Sequence, residues 1–69
     1  MPRWRNITAQ VYVENSDPDG FDEARIECPD GWWREIWDAS IDDINSCVVV
    51  TTSLAEPVVV ALDATIRVR

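Results

Sequence analysis

Asn15-Ser16-Asp17-Pro18-Asp19-Gly20 sets oxygen-bearing side chains at alternating positions ahead of a glycine. Such spacing can converge several oxygens on a hard divalent cation. Asn15, Asp17 and Asp19 are the candidate ligands, with Glu23 as a further oxygen donor. A different chemistry is offered by the block from Glu14 to Asp43, which carries eleven of the thirteen carboxylates against only Arg25 and Arg34. The same block holds Trp32, Trp33 and Trp37, three of the four tryptophans. Acidity of this density favours a cationic partner and disfavours nucleic acid as a direct ligand. Aromatic side chains anchor protein contacts. Asp30, Trp32, Glu35, Asp38, Asp42 and Asp43 are therefore the candidate partner-binding residues.

Two short stretches resemble known families. The opening of the acidic loop resembles that of an EF-hand-type calcium loop, where the glycine permits the sharp turn. The match ends there: Asp22 stands where an apolar residue is wanted, and Ile26 where a bidentate glutamate is wanted, with Glu27 one place late. A solvated acidic turn is the competing reading, and no resident metal or cofactor is expected. Asp30-Gly31-Trp32-Trp33 is similar to the stretch of SH3 domains in which a tryptophan lines a groove for proline-rich peptides. The opening acidic, tyrosine-rich motif and the closing proline-tyrosine motif of that family are missing.

Catalysis is poorly served. There is no histidine and no lysine, so a general base near neutral pH would have to be a strongly shifted carboxylate or a cysteine thiolate. Asp22-Glu23 and Asp42-Asp43 are adjacent and diverge on a helix or strand, which is wrong for a paired acid and base. Two cysteines without histidine do not complete a usual zinc site. A non-enzymatic protein is expected.

The 69 residues allow a single compact domain, 1–69, in which a hydrophobic fraction of 46% supports folding despite a net charge of −7. Neither a signal-peptide stretch nor a membrane-length apolar run is visible, so a cytoplasmic location is expected, in the host if the chain is phage-encoded. In that compartment Cys28 and Cys47 are expected as reduced thiols in or near the core, a disulfide being the alternative. Arg3 and Arg5 lie near one end and Arg67 and Arg69 close the other. If the ends meet, the molecule is an electrostatic dipole able to steer a partner or to associate head to tail.

The elements that would position these groups follow from periodicity. Ile7, Ala9, Val11 and Val13 alternate with polar neighbours, predicting a first strand. Ala24, Ile26 and Cys28 predict a second, closed by the Pro29-Asp30-Gly31 turn. The tryptophan segment fits two periods. A helix over about 32–45 gathers Trp33, Ile36, Trp37, Ile41 and Ile44 on one side, whereas a hairpin with residues 23–28 gives alternating faces. Cys47–Thr52 is a short β-branched run, and residues 58–68 alternate as one long strand. The expected fold is α+β: a small antiparallel sheet of about four strands with the helix 32–45 packed on it. The alternative is an all-β, five-stranded barrel-like sheet.

These features point to a small acidic protein that docks on a basic surface of a larger protein. One form is a phage-type inhibitor that blocks a nucleic-acid-binding site by mimicry of phosphate charge. The alternative is a structural or assembly subunit, a virion component or small homo-oligomer, whose acidity serves solubility or adaptation to high salt. Neither form requires direct contact with nucleic acid or membrane.

Overall fold

A computed structural model describes residues 3–15 and 20–69. Among them the chain forms β1 (Arg5–Thr8), α1 (Ala9–Glu14), β2 (Ala24–Glu27), β3 (Trp33–Glu35), β4 (Asp38–Asp42), β5 (Cys47–Thr51), β6 (Val58–Ala61) and β7 (Thr65–Val68). Two antiparallel sheets result, one in the order β1-β7-β2-β3 and the other β4-β5-β6, with no closed barrel. The radius of gyration, 11.2 Å, matches the roughly 11 Å expected of a compact chain this long. The negative charge therefore does not prevent close packing.

Alternation survives where both faces have a use. In β2, Ala24 and Ile26 are buried while Arg25 and Glu27 face solvent. In β5, Val48 and Val50 are buried, and β7 buries Ile66 and Val68. The inward rows of the two sheets meet in one core with Ala9, Cys28, Ile36 and Val58. None of the tryptophans belongs to it. Thr52 is the buried polar residue among those described, and its hydroxyl accepts a hydrogen bond from the Leu54 N–H at 3.1 Å. That contact removes the cost of hiding an unpaired polar atom.

Four expectations are corrected. The first strand ends at Thr8, whose side chain accepts the Val11 N–H at 3.1 Å and caps a helix over residues 9–14. Ala9, Tyr12 and Val13 then turn toward the core at helical spacing. The helix over 32–45 is replaced by β3, β4 and a turn, so the hairpin reading holds for this segment: Arg25 pairs with Glu35 and Glu27 with Trp33. The strand over 58–68 is broken at Leu62-Asp63, where Ala64 N–H returns to the Ala61 carbonyl at 3.1 Å. Finally, one four-stranded sheet under a helix becomes two sheets, and the barrel-like alternative fails because the sheets do not close.

The chain changes sheets at one corner. Ile36 N–H bonds to the Ala24 carbonyl in the first sheet at 2.9 Å, and the next residue, Trp37, bonds to the Thr51 carbonyl in the second at 2.8 Å. Strands that switch sheets form the corners of packed sheet pairs. β4 therefore begins directly beside an outward-turned tryptophan.

Candidate docking surface

The two sheets present outer faces of different character, one mixing arginines with carboxylates and rings and the other acidic and apolar. On the four-stranded sheet, β1 pairs with β7 and brings the chain ends together, with Arg5 opposite Val68 and Asn6 opposite Arg67. Arg25 and Arg67 stand directly opposite each other on β2 and β7. Like charges in that position repel, and the face answers with rings and carboxylates. Arg67 lies 4.4 Å from the centre of the Trp33 ring; Arg69 and Arg25 lie 4.8 and 5.5 Å from the Trp4 ring. Glu23 pairs with Arg69 and, at 3.5 Å, with Arg25. The Arg69 hydrogen bond holds the Glu23 carboxyl below its ordinary range.

Two grooves of about 370 Å³ each open on this face. One runs between Trp4, Arg25 and Arg69 to Trp33 and Arg67. The other shares Trp33 and Arg67 and reaches down to Ile26, Val60 and Ala64. Its cause lies in the register: β2 and β7 pair only from Ala24 to Ile26, so Glu27 and Thr65 part and expose the layer beneath.

The outer face of the three-stranded sheet carries Asp38, Ser40 and Asp42 along β4 beside Cys47, Val49, Val59 and Ala61. Its three strands contain no arginine. All three ion pairs among the described residues use arginines of the other sheet. Asp38 is exposed, and its charge acts with burial to push the Tyr12 hydroxyl above its ordinary pKa, burial being the larger cause. Asp42 holds the following turn: its carboxylate accepts the Asn45 side-chain amide at 2.8 Å and the Ile44 and Asn45 N–H groups at 3.1 and 3.2 Å. These contacts, the Asn45 side chain first, lower its pKa. Ser46 closes the turn with φ of 51°. Asp43 and Ile44 are thereby projected at the tip, Ile44 being 94% exposed.

The six expected partner-binding residues do not form one patch. Asp38, Asp42 and Asp43 share β4 and its turn. Glu35 lies across from Arg25 on the other sheet. Asp30 sits in the β2–β3 turn, where Arg34 grips both carboxylate oxygens at 2.9 and 2.8 Å and lowers its pKa, helped by the Trp32 N–H. Trp32, in the same turn, is 70% exposed. Trp37, expected on a buried helix face, is 65% exposed at the start of β4. Trp37 and Ile44 were missed as candidates, although an isolated isoleucine within Asp42-Asp43-Ile44-Asn45-Ser46 is itself a sign of a projecting turn.

Of the candidate cation ligands, Asp17 and Asp19 lie outside the described residues. Asn15 caps α1, donating its side-chain amide to the Val11 carbonyl at 3.1 Å, and Glu23 is engaged by arginines. Among the described residues no three His, Cys, Asp or Glu side chains gather as metal ligands. Cys28 is buried and Cys47 half-buried, both as free thiols. No described helix is long and apolar enough to cross a membrane. Compared with protein-family models, curated proteins and solved structures, the chain matches none significantly.

Proposed function

We propose that this chain is a non-enzymatic binding protein that docks through β4 and its following turn on a basic surface of a larger protein. The observation that carries this reading is a row of carboxylates without arginine partners, Asp38 and Asp43 with Asp42 between them, flanked by exposed Trp37 and Ile44. Five residues of strand span roughly 17 Å. Charge at the centre with an apolar group at each end suits fast encounter followed by anchoring.

The same length of duplex carries about ten charges. Three carboxylates fall well short of that density. An inhibitory role would therefore work by occupying a basic nucleic-acid site, with partial charge mimicry as an aid. A second reading, an assembly subunit, is favoured by the meeting of the chain ends, which gathers Arg67 and Arg69 near Arg25 on one outer face while the other holds carboxylates without arginine partners.

Affinity capture from the native host at low and high salt tests the proposal. A basic protein retained at low salt and lost at high salt is expected, because screening shortens the reach of exposed charges. The chain carrying Asp38→Asn, Asp42→Asn and Asp43→Asn should fail to retain it. Equal retention by that variant removes this surface as the contact.

A further inference from the structure

We infer that the chain associates head to tail with copies of itself, the Asp43-Ile44 tip of one molecule entering the β2–β7 groove of the next. Such association needs no foreign partner, and because it uses the turn that the proposed docking surface also uses, the two contacts compete for the tip. The tip is the most exposed large apolar group among the described residues, and Asp42 holds it rigidly through three hydrogen bonds. Trp33, Val60 and Ala64, with the edge of Ile26, line the groove together with polar residues that include Glu27 and Arg67. Its volume, about 370 Å³, lies at the low end of ligand-holding clefts and is ample for one branched aliphatic side chain and its adjoining backbone.

Charge fixes the orientation. Arg67 on one wall attracts Asp43, with Arg25 and Arg69 close by in the adjoining groove. Glu27, which also lines the cleft, repels it. Asp43 therefore faces Arg67 and points away from Glu27. Donor and acceptor surfaces are different, so the contact is heterologous and adds copies, closing a ring where the rotation between them allows and otherwise continuing as an open chain. A single knob in a small groove buries less than a standard interface, so the association is weak and appears at high protein concentration.

Sedimentation equilibrium of the purified full chain at low salt reads this directly. The weight-average mass should rise with concentration past two copies, and fall back when salt is added. Ile44→Ser and Arg67→Glu should each weaken association at least tenfold. Mixed together, these two variants should form a one-to-one pair that grows no further, since one keeps a working groove and the other a working tip. Asp43→Arg, on an exposed turn, provides a variant that leaves the groove untouched and should also be monomeric, with association restored when Arg67→Asp is added to it. A wild-type chain that remains monomeric at millimolar concentration overturns the inference. So does a mixture of the two folded variants that yields no pair.

Discussion

Ile66→Ala asks whether the two sheets share one core. Ile66 is fully buried in β7 with Ile7 and Ile26 as its neighbours on the flanking strands. Truncating a buried isoleucine to alanine costs about 2–5 kcal/mol, more where the surroundings cannot collapse. Here the largest fully buried side chains are isoleucines and valines, Tyr12 and Phe21 pack against the core only in part, and both cysteines are free, so no cross-link supplements it. At about 0.05–0.15 kcal/mol per residue, a chain of this length is worth roughly 3–10 kcal/mol in all. A loss near 3 kcal/mol removes from a third to the whole of that. With a urea slope of about 1 kcal/mol per molar for so small a domain, the midpoint should drop by about 3 M, or the folded baseline should vanish. Ile66→Val should cost about 1 kcal/mol, and Ile44→Ala, on the exposed tip, within about 0.5 kcal/mol. Urea unfolding followed by tryptophan fluorescence and far-ultraviolet circular dichroism gives all three numbers. If Ile66→Ala moves the midpoint no further than Ile44→Ala, the shared core is refuted.

Three other perturbations reach different parts of the fold. Gly31 has φ of 87° with open space where a Cβ would sit, so Gly31→Ala should cost about 1 kcal/mol through backbone strain alone; a stabilised variant in the same urea assay would contradict the turn geometry. Glu23, Asp30 and Asp42 have folded pKa values below the ordinary 4.5 and 3.8, so their stabilisation is complete above those values and is lost as pH falls through the depressed ones. Acid unfolding at constant ionic strength should be flatter for Glu23→Gln than for the wild type, and coincident profiles would show that the Arg69 contact contributes nothing. Tyr12, the only tyrosine, should titrate above 10.0 by tyrosinate absorbance, and Asp38→Asn should bring the midpoint down.

The local patterns that could be read correctly were those in which one face is buried and the other wet. β2, the Pro29-Asp30-Gly31 turn and β5 follow directly from alternation and turn chemistry. Residues 32–45 misled because the corner at Ile36-Trp37 shifts the inward set from Ile36 to Ala39 and Ile41, so apolar residues recur three and five apart as well as two. A chain that changes sheets can therefore imitate a helical period. The opposite happened at residues 58–68. Val58, Val60, Leu62, Ala64, Ile66 and Val68 all keep contact with the core while the chain turns at Asp63, so the break leaves no mark on the pattern. Helix α1 is only six residues long, so without the Thr8 cap its inward set of Ala9, Tyr12 and Val13 is not separated from the strand row Ala9, Val11 and Val13.

The site was legible only in part for the same reason. Composition located the acidic block, but register decides which carboxylates meet arginines: Glu23 and Asp30 are taken, Glu35 faces Arg25, and Asp38 and Asp43 stay free of arginine. β1 pairs with β7, so the two ends of the chain meet, but Glu23, Glu27 and Glu35 stand among the arginines there. The groove was not foreseeable, because it arises where pairing of β2 with β7 stops.

The salt dependence of the association rate with a captured partner tests the docking account most directly. Wild type should bind fastest at low ionic strength and slow steeply as salt rises, while the Asp38, Asp42 and Asp43 triple variant should begin slower and respond less, with Trp37→Ala acting on dissociation instead. Association rates that coincide for wild type and triple variant at every salt concentration would contradict it.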